Sequence, residues 1–334
     1  MPPPPRRPPP PKKPKVYVKE ATPEQVVARG RGALLGLSVG DAMGTTHEGR
    51  RLQAPMFPEL CGGVYTEIVG KGPHNLRPGQ VTDETQLAAA LAASLKEHRR
   101  YDLIETAREY ARWMPHAFDV DAETRAALSL LVDGRTGEHS GRRYWMDTRP
   151  RPASNNSLGR TAPIGVYFYK DQARRIEASM LDSAITHFDP RCQLACVILN
   201  AAIAACLYSP NEKASHDDIS KQIEADLSIA AAQLGRAHPD VIVQVSDSAE
   251  WLRDDVRMAK ESDPQLYGPD LHLWIHDKSV RVALRLALWE LFHAPDFEQA
   301  MIDVVNRGGD ADTNAAVTGA LYGAWVGEKA IPPH

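Results

Sequence analysis

Cysteine is scarce: Cys61, Cys192, Cys196 and Cys206 are the only four in 334 residues. The last three share one apolar stretch, and no nearby histidine or second pair completes a zinc-ligand spacing. This excludes a zinc module and a disulfide framework. The thiols are expected to act as small buried hydrophobes in a reducing, cytoplasmic setting. No run of 18 apolar residues occurs, so no membrane span is expected. The basic N-terminus is not followed by an apolar h-region, so it does not read as a secretory signal. Alternating strand patterns are nearly absent, with Val241–Val245 the best short candidate. Acid is missing from residues 1–15, which hold Arg6, Arg7, Lys12, Lys13 and Lys15.

That last absence hides inside a net charge of −4: the first 15 residues carry +5 and the other 319 carry −9. A mildly acidic body lacks the basic face of a duplex-DNA binder and suits a protein that gathers carboxylates around metal ions. Nine of the first 15 residues are proline, a composition that favours an extended, polyproline-like arm. The expected organisation is an arm over residues 1–20 and one domain over residues 21–334. The arm reads as a solvated tail or as a ligand or tether for a partner.

From residue 23 onward the pattern is helical. Thr22-Pro23-Glu24 supplies an N-cap, a proline at the first helical position and an acidic first turn, opening a helix through Val39. Helical periodicity recurs over Glu84–Glu97, Leu103–Met114, Ala122–Leu131, Gln172–Ile185, Pro190–Tyr208, His216–Gln233, Ser246–Ala259, Ser279–Phe292, Phe297–Val305 and Asp312–Val326. Residues 44–83, 134–165 and 262–277 read as long loops, which in a compact domain usually carry function. With 43% hydrophobic residues, the chain can bury a large core, and the fold class is all-α.

Gly32, Gly36, Gly40 and Gly44 recur every four residues, as do Ala315, Gly319 and Gly323. A glycine inside a helix costs about 1 kcal/mol relative to alanine. Repeating that cost implies close backbone approach, so these two helices are expected to pack side by side and bring the two ends of the chain together.

Three acidic segments stand at helix ends: Gly40-Asp41 followed by Glu48; Thr82-Asp83-Glu84-Thr85; and Asp310-Ala311-Asp312-Thr313. Acids here can simply cap free N–H groups and complement the helix dipole. These segments hold more carboxylate and hydroxyl oxygen than a cap needs. Carboxylates that converge repel unless a cation or proton compensates. Oxygen donors without cysteine or spaced histidine suit a hard ion such as Mg²⁺ or Mn²⁺. Two ligand sets point to two divalent ions.

Together the residues resemble the ADP-ribosylglycohydrolase family, which includes the dinitrogenase-reductase-activating glycohydrolase and the ADP-ribosyl-acceptor hydrolases. The resemblance is carried by Gly-Asp-Ala-Met-Gly at 40–44, Thr-Asp-Glu-Thr at 82–85, Asn-Asn-Ser-Leu-Gly-Arg-Thr-Ala-Pro at 155–163, Thr-His-Phe-Asp-Pro at 186–190 and Gly-Gly-Asp-Ala-Asp-Thr-Asn at 308–314. They stand in family order. The resemblance implies a compact orthogonal helical bundle with a binuclear metal centre. By the same carry-over, Thr82, Asp83, Glu84, Asp310, Asp312 and Thr313 ligate the metals. Asn156, Ser157, Leu158, Gly159 and His187 line the ADP-ribose groove. Glu48, Asp83 and Asp312 are the catalytic carboxylates. Asp41 either orients ligands or caps a helix.

Three positions depart from the family pattern. Glu84 stands where aspartate is usual, and its extra methylene shifts the carboxylate by about 1.5 Å. Asn156 replaces a glycine, and Gly159 replaces a methionine. The expected activity is metal-dependent removal of ADP-ribose from a modified protein, arginine-linked by preference, with a nucleic-acid substrate left open and a monomer expected. The alternatives are an immunity-type protein that occludes an ADP-ribosylating toxin through its arm, an inactive ADP-ribose-binding relative, and a hydrolase of small ADP-ribose conjugates.

Overall fold

The computed structural model describes residues 20–50, 65–132, 137–261 and 278–333. The proline-rich arm expected over 1–20, apart from Glu20, lies outside this range, as do Cys61 and the loop expected over 262–277. The order is α1 (Pro23–Gly44), α2 (Asp83–His98), α3 (Leu103–Trp113), α4 (Ala122–Val132), α5 (Gly137–Asp147), α6 (Asn156–Arg160) and α7 (Ala162–Tyr167). It continues with α8 (Gln172–Thr186), α9 (Pro190–Tyr208), α10 (His216–Ala237), α11 (Ile242–Ala259), α12 (Val280–His293), α13 (Phe297–Val305) and α14 (Ala311–Val326). Among the described residues there is no strand, only the isolated bridges Lys71–Leu76 and Ser154–Ser279. The class is all-α, as expected.

Thr22 closes a capping box with Gln25, and Pro23 occupies the first turn of α1. The helix does not end at Val39. Gly40 and Gly44 are still helical, because α14 lies against them and leaves no room for side chains. A Cβ on Gly36 would stand 2.1 Å from the Gly319 carbonyl oxygen, and one on Gly40 would stand 2.0 Å from that of Ala315. The reverse contacts match: a Cβ on Gly319 would meet the Gly36 oxygen at 2.0 Å and one on Gly323 the Gly32 oxygen at 2.1 Å. The two small-residue stripes therefore form one seam, in which the side-chain layer of an ordinary helix pair is missing.

Behind the seam, α9 runs through the middle of the core and is buried on every face, including Cys192, Cys196 and Cys206. Among the described residues it is the one helix long and apolar enough to cross a membrane by composition, and here it is the core. Polar groups buried near it are paired. The Arg160 guanidinium donates to the Asp182 carboxylate and carbonyl and to Thr186, and lies over the Tyr110 ring. Arg175 donates twice to Asp226. Such pairing is what keeps a buried charge from destabilising a core.

Two expectations need correcting. Val241–Val245 is not a strand: a 3-10 turn ends at Val241, and α11 begins at Ile242. A strand would place 241, 243 and 245 on one face. Instead Val241 and Val245 are 3% and 2% exposed, while Val243 is 64% exposed, which is helical spacing. The stretch 134–165 is not a structureless loop either. It contains α5, α6 and most of α7, helices too short or too polar to show a long apolar period.

A carboxylate-lined candidate active site

The site is assembled at the end of the α1–α14 seam. Asp41 sits on the last turn of α1 and accepts from the backbone N–H and hydroxyl of both Thr82 and Thr85. Thr82, the residue preceding α2, makes no capping bond with its own side chain. Asp41 thus caps α2 from a neighbouring helix and orients the acidic turn Thr82-Asp83-Glu84.

Glu84 is the junction. One carboxylate oxygen stands 2.7 Å from the Thr82 hydroxyl; the other accepts from the Thr313 hydroxyl at 2.7 Å and from Asn156 Nδ2 at 3.2 Å. Asn156 also donates to Asp83 at 2.9 Å. The Thr82 hydroxyl lies 2.6 Å from Asp41 Oδ1 as well. It has one proton to share between two carboxylates, which repel unless a further proton or a cation compensates. On the α14 side, oxygens of Glu48, Asp310 and Asp312 all lie within 4.8 Å of one another. The Lys278 ammonium stands 3.7 Å from Asp310.

Burial among like charges governs the acidities. Glu84 is pushed up to about 8, first by burial and then by Asp41 and Asp310. Glu48 is pushed up to about 7 by burial, Asp119 and Asp310, against His74 and Lys278. Asp83 and Asp312 are buried and raised well above the usual carboxylate range, each with Glu84 as the leading charged neighbour. The donor set is carboxylate and hydroxyl oxygen, in excess of the protons and cations near it. That chemistry fits hard divalent ions; Thr82, Asp83, Glu84, Thr313, Asp310 and Asp312, with Glu48 alongside, are the residues that would hold them.

The three departures from the family pattern belong to one another. A Cβ on Gly159 would stand 2.7 Å from Glu84 Cγ and 3.1 Å from Thr313 Cγ2. The space vacated by a side chain at 159 is where the extra methylene of Glu84 lies, and Asn156 supplies an amide to the displaced carboxylate. Gly159→Ala is expected to cost about 1–3 kcal/mol and to weaken metal binding. Glu84→Asp in the same chain is expected to recover most of both losses. Thermal melts and metal titrations of the two single variants and the double variant check this, and additive effects would sink the pairing.

The other residues expected in the groove are placed differently. Ser157 accepts from Ser183 and Cys196, and Leu158 is fully buried in the main core cluster. The His187 ring is fully buried, with Nε2 2.8 Å from Ser154 Oγ and Nδ1 2.7 Å from Thr186 Oγ1. All three side chains are buried against protein groups, and the His187 ring also approaches Asp121, with Nε2 3.7 Å from its Oδ1.

Sequence reasoning missed His74, Asp119, Asp121 and Lys278. His74 Nε2 lies 3.5 Å from Glu48 and 3.1 Å from Asp119. Asp121 caps α4 through Oδ1, which accepts from the backbone of Glu123 and Thr124; it also acts as a charge on Asp83 and Lys278. The signal available was Asp119-Val120-Asp121-Ala122-Glu123-Thr124, a fourth acidic helix start. Nothing in the sequence marks His74 or Lys278.

A family model described as ADP-ribosylglycohydrolase matches residues 22–334. The chain is 29% identical over 320 residues to an ADP-ribosylarginine hydrolase Tri1 of Pseudomonas putida (strain GB-1), an alignment covering 93% of this chain and 74% of that protein. It is 26% identical over 313 residues to the ADP-ribosyl-[dinitrogen reductase] glycohydrolase of Rhodospirillum rubrum, covering 91% of this chain and 87% of the relative. A solved structure described as an ADP-ribosylglycohydrolase-related protein complex superposes with a TM-score of 0.68 at 30% identity, covering 93% of this chain and 91% of that one. With the acidic motifs around Asp41, Thr82-Asp83-Glu84 and Asp310–Thr313 gathered at one end of the seam and the family match spanning nearly its whole length, this chain belongs to the ADP-ribosylglycohydrolase family, hydrolases of the glycosidic bond to ADP-ribose.

Proposed function

We propose that the chain removes ADP-ribose from arginine side chains of modified proteins, using two divalent ions, Mg²⁺ or Mn²⁺. The reading is supported above all by the convergence of Thr82, Asp83, Glu84, Asp310, Asp312 and Thr313 with Glu48 in one buried, cation-poor cluster. Arginine is preferred because relatives of this chain are named ADP-ribosylarginine hydrolases.

The reaction adds water across the bond between the ribose anomeric carbon and a guanidinium nitrogen, through a transition state with oxocarbenium character. Bound divalent ions supply a charge that orients ribose hydroxyls and makes a water more acidic. Within the chain, Asp41 fixes the turn that carries Asp83 and Glu84, and Asn156 holds both carboxylates in place. Glu48 has a carboxylate oxygen within 4.8 Å of oxygens of Asp310 and Asp312, and a carboxyl group beside the reacting centre can exchange protons with it. It is positioned to take a proton from the attacking water and return it to the departing guanidine. Asp83 and Asp312 contribute negative charge beside the cationic ribose.

The test is release of free ADP-ribose from an arginine-modified protein, with Mg²⁺ or Mn²⁺ and with EDTA. Release is expected only with metal. Retention of the label under all conditions, with serine-linked substrate cleaved instead, would overturn the arginine assignment. Failure on both linkages would overturn the catalytic reading.

A further inference from the structure

We propose that Glu48, His74 and Asp119 form a third divalent-cation site beside the carboxylate cluster, selective for ions of the Zn²⁺ class, and that an ion held there inhibits hydrolysis by withdrawing Glu48. The inhibitory part rests on the role given to Glu48 above; the site itself does not.

The geometry is that of an open coordination polyhedron. His74 Nε2 is 3.5 Å from Glu48 Oε2 and 3.1 Å from Asp119 Oδ2, and the three donor atoms all lie within 4.8 Å of one another. Ligands bonded to a tetrahedral zinc at about 2.1 Å are separated from each other by about 3.4 Å. Three donors at these separations need only small adjustments to close on one ion. His74 and Asp119 are partly exposed, which gives an ion a way in and leaves the remaining coordination positions to water.

The three residues come from separate segments that the fold fixes against one another. His74 lies in the turn closed by the Lys71–Leu76 bridge. That turn is clamped to the segment carrying Glu48. Thr46 Oγ1 donates to the Gly70 carbonyl at 3.0 Å, and Gly72, at φ +60°, approaches Thr45 so closely that a Cβ would stand 1.8 Å from its carbonyl oxygen. Phe118, beside Asp119, sets its ring edge-on against the His74 ring at 5.6 Å. Glu48 Oε2 is buried and accepts no hydrogen bond, so the oxygen aimed at His74 is available to an ion.

The donor chemistry separates this site from its neighbour. Glu48, Asp310 and Asp312 offer oxygen alone, which suits Mg²⁺. An imidazole joined to two carboxylates suits Zn²⁺, Co²⁺ or Ni²⁺, whose affinity for nitrogen exceeds that of Mg²⁺. Both groups draw on Glu48, so an ion on His74 and Asp119 competes for the carboxyl group assigned to proton transfer.

The experiment compares full-length wild type with His74→Gln, both saturated with Mg²⁺. Co²⁺ is titrated while its visible absorption is recorded, and bound Zn²⁺ is counted by calorimetry, both without substrate. Wild type is expected to bind one more ion than His74→Gln. In a separate assay, Zn²⁺ is expected to inhibit wild type at concentrations at least tenfold below those that inhibit the variant. Asp119→Asn is the second variant and is expected to lose the same ion. Equal stoichiometry in all three proteins overturns the site. Equal Zn²⁺ inhibition overturns its inhibitory role. Because the ion count is read without substrate, its failure is distinct from failure of the hydrolase reading.

Discussion

Asp312→Asn is expected to lower ADP-ribose release by about 10³-fold, an effect of about 4 kcal/mol on the barrier, while making the metal-free protein more stable. The two effects have one cause. Asp312 is buried beside Glu84, Glu48 and Asp310, which hold its acidity well below that of a free aspartate. Asparagine keeps the shape and the acceptor for the Thr313 N–H but removes a negative charge. In the absence of metal that charge is a liability. A carboxylate whose folded pKa is raised binds more protons folded than unfolded, so folding weakens as pH rises through the interval between the two values. For Glu48 and Glu84 that interval runs from the usual 4.5 to about 7 and about 8. Metal-free wild type should therefore lose stability steadily from about pH 4.5 to pH 8. Asp312→Asn should lose less and melt roughly 2–4 °C higher near pH 7.5. Saturating Mg²⁺ should reverse the order, stabilising wild type far more than the variant. Calorimetric melts across pH, with and without metal, read both signs. A variant that melts lower than wild type in EDTA would refute the account of the cluster as charge-frustrated.

Gly36→Ala or Gly319→Ala is expected to destabilise the protein by about 3 kcal/mol or more, although alanine is the better helix former by about 1 kcal/mol. Each new Cβ would stand 2.1 or 2.0 Å from a backbone oxygen of the facing helix. Backbone cannot rotate away as a side chain can, so α1 and α14 must separate. That separation also pulls Asp41 from Asp312, and metal affinity should fall with stability. Gly235→Ala is the control. Its Cβ would meet the Ile242 side chain at 3.4 Å, an ordinary contact, so the propensity gain should survive as a neutral or slightly stabilising change. Urea unfolding of the three variants decides the point. If all three behave alike, the seam is not the reason for these glycines.

The parts of this molecule that sequence made legible are those with a period. Glycine at every fourth position, in a stretch interrupted by charges, reads as close helix packing, and it brings together two helices that each carry carboxylates at one end. The acidic turns at 82–84 and 310–313 were equally visible, because capping alone does not call for so many oxygens. What stayed hidden depends on where the chain travels between helices. His74 sits in an irregular turn whose only marks are glycines, and its neighbours Glu48 and Asp119 lie 26 and 45 positions away in sequence. The direction of a side chain was also hidden. Asn156 and Ser157 are adjacent, yet one reaches the carboxylates and the other points into the core. The compensation between Glu84 and Gly159 could not be read at all, since each looked like a separate departure until the 2.7 Å approach joined them.

The seam also sets a schedule for synthesis. Among the described residues α1 is the first helix and α14 the last full one, so a ribosome working at about 5–20 residues per second releases α1 tens of seconds before its partner exists. During that time the glycine stripe of α1 has no other surface made to receive it, and Asp41 can cap α2 but cannot complete a cation site. The site thus comes into being only once α14 has been made. A nascent or prematurely terminated chain is barred from hydrolysis, and the slow, long-range closure of α1 on α14 is the step at which a chaperone would have most to offer.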